Sequence, residues 1–226
     1  MAVTGRGSTP AGRVDFRLLA DAPLPARLLA LFGGLFLFGV SAGLMIVASL
    51  GNMPWDVLHE GIARHLPLSI GTIGIIVSVL LLLLWIPLRQ KPGLGTLSNA
   101  LLVGLFIDLT MHWVRTPPEL WQQILLMLGA LLLNGLATVL YIAPDFGPGP
   151  RDGLMTGLVT LTGRPVFLVR TCIEIVVIAV GWLLGGNFFI ASVVYALGIG
   201  PVTQVFLRLA YRLWGPKPHP RRETVA

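Results

Sequence analysis

Hydrophobic positions in this chain run on where an amphipathic protein would alternate. Four stretches carry no charged residue: Leu28–Leu50, Leu66–Leu88, Leu120–Pro144 and Ile175–Leu207. A helix needs about 20 mostly apolar residues to cross a bilayer, so each of the first three predicts one crossing. The fourth is too long for a single helix, and Gly185-Gly186-Asn187 breaks it where a turn is cheap. Pro92–Ile107 continues past Asp108 to Trp113, and 165–184 forms another span if Arg170 and Glu174 lie inside it. The pattern predicts an all-α polytopic membrane protein with six long helices, over 28–50, 69–88, 94–114, 121–143, 165–184 and 188–213. Two short apolar segments, 56–65 and 152–162, complete the set. Eleven helical residues rise about 16 Å, roughly half the hydrocarbon thickness, so these read as half-helices.

The halves carry matching landmarks. Aligning each residue with the one 96 positions later pairs Gly51 with Gly147, Pro54 with Pro150, Asp56 with Asp152 and Leu58 with Leu154. Gly33/Gly129, Gly39/Gly135 and Gly61/Gly157 follow the same register, and a two-residue deletion near 90 pairs Gly104 with Gly198. This predicts a polar arm over 1–27, one membrane repeat over 28–118, a second over 119–214 and a tail over 215–226. Three crossings per half would invert the repeats. If both short segments span, there are eight crossings and the halves are parallel.

Composition agrees with a lipid solvent. The chain is 55% hydrophobic and 12% charged, against about 25% charged in soluble domains. The net charge of +6 follows orientation. With six spans and an inside N-terminus, thirteen Lys/Arg fall on inside segments, and only Arg64 and Arg115 fall outside. The eight-span version gives twelve against three, so charge does not separate the two. Nucleic-acid binding is not expected. The first apolar run is too long for a cleaved secretory core and is read as a retained helix. The termini are expected on the cytoplasmic side of a bacterial inner membrane, where their basic residues meet anionic lipid. Cys172 is the single cysteine, so no intrachain disulfide forms.

The turns hold most of the candidate chemistry. Gly51, Pro54, Gly147, Gly149 and Pro150 are structural turn residues. Asp56 and Asp152 follow them, either as helix N-caps or as a paired carboxylate site for a cation or proton. At the matched position before each aspartate the halves differ, Trp55 against Arg151. Arg151 either clamps an anion or sits at the headgroups, and Trp55 is a possible interfacial anchor. Arg170 and Glu174 lie four apart on one helix face, roughly 6 Å from each other. They form an internal ion pair or serve a pathway, since charge within a span is costly and faces the interior. Asp108 and His112 repeat that spacing, with Asp108 the deeper candidate for a proton or cation. Asn99 and Thr96 are interhelical hydrogen-bonding groups, and Asn99 is counted among the pathway candidates.

Enzyme motifs fail. His59-Glu60 opens a zinc-protease string, but Ala63 stands where the second histidine belongs. Gly39-Val40-Ser41-Ala42-Gly43 matches a nucleophile elbow only in letters, since it lies within a membrane helix. Neither catalysis, nor a metal, nor a cofactor is expected.

The string Leu50-Gly51-x-x-Pro54-Trp55-Asp56-Val57-Leu58-His59-x-Gly61 resembles the first signature of the YczE/YitT-like bacterial integral membrane proteins. Gly147-x-Gly149-Pro150-Arg151-Asp152-Gly153-Leu154-Met155 is similar to their second, and Pro92-Gly93-x-Gly95-Thr96-x-x-Asn99 fits the same pattern. Gly104, Asp108, Val169-Arg170, Glu174 and Gly185-Gly186 fit it too, over about residues 30–210, although Asn187–Ile190 lacks the Gly-x-Gly-Thr of the family. The resemblance implies fold and location and carries no activity. Repeat architecture with intramembrane charge leads to a secondary transporter or permease of a small polar solute, working between two halves in the lipid bilayer. The alternative is a non-transporting factor that assembles, scaffolds or regulates a protein partner, or acts as a homo-oligomer.

Overall fold

The computed structural model describes residues 18–214, which form eight α-helices and no strand. They are α1 (Leu24–Val47), α2 (Pro54–Ala63), α3 (Ile70–Trp85), α4 (Leu94–Trp113), α5 (Leu120–Ile142), α6 (Pro150–Thr162), α7 (Val166–Leu183) and α8 (Ile190–Trp214). The tail 215–226 and most of the arm 1–27 lie outside the described residues. Five helices are long and apolar enough to cross a membrane: α1, α4, α5, α7 and α8.

The sixth expected span, over 69–88, is shorter. Helix α3 has 16 residues, about 24 Å at the helical rise. Ser69 caps its start, accepting from the Thr72 N–H. Pro87 stops it: a ring without an N–H disfavours helix at the residue before it, and the ladder ends at Trp85. The short helices begin two residues earlier than expected, each on its turn proline, whose fixed φ suits the first helical turn. Helix α1 likewise starts at Leu24 rather than 28.

All four helices of the second half begin 96 residues after their counterparts: Leu24 and Leu120, Pro54 and Pro150, Ile70 and Val166, Leu94 and Ile190. Left-handed backbone recurs at the same spacing, at Ser49 and Asp145, Gly51 and Gly147, and Arg89 and Gly185. The register therefore holds through position 90, and Gly104 lines up with Gly200 rather than Gly198. Two backbone hydrogen bonds exchange the halves: Gly95 N–H donates to the Phe146 carbonyl, and Ala191 N–H to that of Leu50.

Packing follows the same plan. Helices α1 and α5 lie together at the centre, α4 packs on α1, α8 on α5, and each short helix packs on the third helix of the other half. Long leucines point outward, Leu83, Leu101, Leu125 and Leu132 among them, while Ser41, Asn52, Asp56, His59, Thr96 and Asn134 are buried. This distribution suits lipid outside and hydrogen-bonded polar groups between helices.

Both ends of α2 are tied to one connection. Asn52 N–H donates to the Asn187 carbonyl, and His65 Nε2 meets the Leu184 carbonyl. Glu60 accepts from the Asn52 side chain, the Asn187 N–H and Arg64, which binds the first turn to the same place. Both the start and the body of α6 lie against the connection from Leu88 to Thr96: Thr96 donates to the Pro148 carbonyl, and Gly157 sits on Leu88 and Gln90.

Candidate functional site

A cavity of about 520 Å³ lies between the halves, with walls drawn from all eight helices. The two turns contribute to its wall. In the second turn, the Trp85 indole N–H donates to the Pro150 carbonyl at 3.0 Å, and Thr96 holds Pro148. That leaves Arg151 and Asp152 on the first turn of α6, where they line the cavity with Gly149 and Met155. The matching turn carries Trp55 and His59 into the same space, with Asp56 directly behind.

Neither aspartate is an N-cap. The cap positions belong to Met53 and Gly149, without a side-chain cap bond, because each helix starts on its proline and puts the aspartate at the third helical position. There a carboxylate sits near the positive helix end, a favourable place for negative charge. Asp152 accepts from the Tyr141 hydroxyl at 2.9 Å. Asp56 is 1% exposed, and neither of its oxygens has a hydrogen-bond partner. Its close neighbours are His59 Nδ1 at 3.2 Å, poorly aligned for a hydrogen bond, and Arg151 Nη2 at 4.0 Å. His59 is fully buried with both ring nitrogens unpartnered, lying under Gly74, where a Cβ would meet the ring.

Arg151 stands between the halves. Its guanidinium lies 5.1 Å from the Trp55 ring centroid and only reaches Asp56 at 4.0 Å. The residue that distinguishes the second turn is thus stacked on the residue that distinguishes the first. A planar N–H fork held this way, with no close acceptor, is suited to a carboxylate or phosphate.

Arg170 and Glu174 pair at 2.9 Å and border the cavity, their side chains 60% and 31% exposed. Asn99 lines it beside Gly149. Asp108 lies apart. It accepts from Ser69 Oγ at 2.5 Å and from the Gly71 N–H at 2.8 Å, so it caps the start of α3 from α4. His112 borders a separate pocket at the far end of α4, with Arg115 and Asn187. Of the seven pathway candidates, the fold gathers Asp56, Asp152, Arg151, Arg170, Glu174 and Asn99 and leaves Asp108 outside.

Sequence reasoning does not single out Tyr195, Asn134 or Tyr141, and it takes His59 as a failed zinc motif and a signature residue rather than as a buried neighbour of Asp56. Tyr195 donates to Asn134 at 2.9 Å, and Asn134 donates to Ser41 at 2.7 Å, a buried chain linking α8, α5 and α1. The signal was present, since Asn134, Thr138 and Tyr141 make a polar stripe along the otherwise apolar α5.

Comparison with known proteins gives no activity. Residues 25–208 match a family of unknown function, DUF6198. An uncharacterized protein of Haemophilus influenzae is 37% identical over 79% of this chain and 82% of its own length. The uncharacterized membrane protein YczE of Bacillus subtilis is 28% identical over 80% of this chain and 86% of its own. An uncharacterized protein, YyaS, of the same organism is 26% identical over 79% and 91%. No solved structure matches. With its apolar helices, outward leucines and central polar cavity, the chain belongs to DUF6198 and is an integral membrane protein of a bacterial family.

Proposed function

We propose that the protein is a secondary transporter or permease for a small polar solute, working by alternating access between two pseudosymmetric, inverted halves. The observation that carries this is a 520 Å³ cavity between the halves lined by charge of both signs, Arg151 and Asp152 at the second turn and Arg170 and Glu174 on α7. Its size falls within the range of small-molecule sites, roughly 300–1,000 Å³. Short, Gly/Pro-interrupted helices at corresponding places of two halves are where secondary transporters hold their solutes.

Inversion is supported by the connections. Both ends of α2 lie against the α7–α8 connection, and α6 lies against the α3–α4 connection. This supports reading neither as a crossing and each half as three crossings, α1, α3, α4 and then α5, α7, α8. With α3 only 16 residues long, its crossing thins or locally deforms the bilayer at modest cost. The constant 96-residue spacing of helix starts and left-handed residues supports two copies of one unit. The charge bias puts both termini on the cytoplasmic face of the inner membrane.

Arg151 and Arg170 take the anionic part of the solute, and Asp152 and Glu174 the cationic part, with Asn99 and Tyr141 as hydrogen-bonding walls. The test is uptake of radiolabelled amino acids, organic acids and amines into proteoliposomes, each class in turn. Saturable uptake is expected with one class and is lost in Asp152→Asn. Silence toward every class, with a co-purified partner released by the same variant, would favour a non-transporting scaffold instead.

A further inference from the structure

The halves differ at one seam. In the first, α3 and α4 pack along each other, and Gly71 and Gly104 bring the backbones so close that a Cβ on either would overlap the other's carbonyl oxygen. In the second, α7 and α8 barely touch. Ninety-six residues on, Gly71 is replaced by Phe167, which is 71% exposed. Gly104 is matched by Gly200, beside which there is open space. One wall of the closed seam has kept its glycine, and the other has lost it to a ring that cannot enter so narrow a gap.

This gap opens onto the cavity. Arg170 and Glu174 on α7, and Ala196, Gly200 and Gln204 on α8, line the cavity, yet all except Glu174 are exposed. The α8 residues stand four apart, so they form one stripe facing the gap. Both helices are candidate spans, so the opening faces acyl chains. Its rims are apolar, with Phe167 on α7 and Leu197, 74% exposed, on α8. Inside are an ion pair whose arginine is exposed and an Arg151 fork without a close acceptor.

We propose that the α7–α8 seam is a lateral portal for a membrane amphiphile whose zwitterionic polar group enters the cavity while its apolar chain stays between the two helices. The proposal rests on the cavity being a solute site and names the class of solute. A group of both signs matches Arg151 and Arg170 on one hand and Asp152 and Glu174 on the other, and an apolar chain matches the rims. A fully water-soluble solute would leave the open seam to be filled by lipid tails against Arg170, which is unfavourable for a charge.

The test uses the full chain in vesicles of phosphatidylcholine containing a phosphatidylcholine analogue with a photoactivatable diazirine in its head group. Adducts are mapped by mass spectrometry. Head-group adducts are expected within 195–204 and 170–174, deep in the helices, and are expected to fall at least fivefold in Gly200→Trp. A Cβ at Gly200 meets open space, so tryptophan there is expected to plug the seam, and adducts at helix ends serve as the folding control. Adducts confined to helix ends in the unmodified chain, or undiminished in Gly200→Trp, would overturn the portal. A membrane-impermeant maleimide on Ala196→Cys, in a Cys172→Ser background, separates the failures. Reaction with maleimide in the absence of head-group adducts means entry from water, which overturns the portal and keeps the permease. Disulfide-linked dimers through Ala196→Cys mean that a second copy covers the seam and also overturn it. No reaction with either reagent means a cavity closed on both sides, which overturns the portal and counts against the permease as well.

Discussion

Replacing Arg151 with glutamine is expected to destabilise the protein by about 3 kcal/mol in denaturant unfolding from detergent micelles, the low end for removing one partner of a buried pair. Asp56 is buried, both its oxygens lack hydrogen bonds, and Arg151 is the cation that faces it, at 4.0 Å. Without the guanidinium, the carboxylate keeps its desolvation cost and retains only the poorly aligned His59 as a polar neighbour. The low end applies because the pair is long and Arg151 is partly exposed. Adding Asp56→Asn removes the stranded charge, so the double variant should recover most of the loss, and the cycle isolates the coupling. A neutral Arg151→Gln would mean that Asp56 is held by something other than this arginine.

Gly153→Val is expected to cost about 3 kcal/mol as well. A Cβ at this position overlaps the Trp85 ring. Overpacking costs about 1–3 kcal/mol, and displacing the ring also strains the indole bond to Pro150, worth about 1 kcal/mol. The matched positions of the other half carry the opposite sizes: Val57 where Gly153 stands, and Gly181 where Trp85 stands. Gly181 there lies directly on the backbone of Val57 and Leu58. Trp85→Gly alone opens a void and loses a hydrogen bond, at about 3–5 kcal/mol. The two substitutions together rebuild the pairing of the other half, so their combined cost should fall well below the sum. Strict additivity, read by the same unfolding measurement, would contradict equivalence of the two contacts.

Much of this fold was legible because lipid leaves a plain signature. Apolar runs gave the order of the helices to within a few residues, although five rather than six are long enough to span and α3 falls short. The turn prolines and glycines gave the short helices. Boundaries failed where one residue decides the backbone. Pro87 trimmed α3, and Pro54 and Pro150 drew α2 and α6 forward until both aspartates ceased to be caps. The site was half legible. Charge within apolar segments marked Arg151, Arg170, Glu174 and both aspartates, because such charge is expensive and must face something polar. What a single helix cannot reveal is its partner. Asp108 looks like any intramembrane carboxylate until Ser69 and Gly71 are seen against it, 39 and 37 residues away. His59 reads as a failed metal motif in the sequence because Gly74, which packs on its ring, lies on another helix. The open seam was hidden for the same reason, since Phe167 gains meaning only beside Gly71 and Gly200.

Inversion of the halves is the central claim, and sided labelling tests it most directly. Leu66 and Thr162 are exposed, stand 96 residues apart, and follow α2 and end α6 respectively. Leu66→Cys and Thr162→Cys, each in a Cys172→Ser background, would be exposed to a membrane-impermeant maleimide in intact cells and in inverted vesicles. The account predicts labelling of position 66 from outside only and of position 162 from inside only. Labelling of both positions from the same face would make the halves parallel and remove the argument for alternating access.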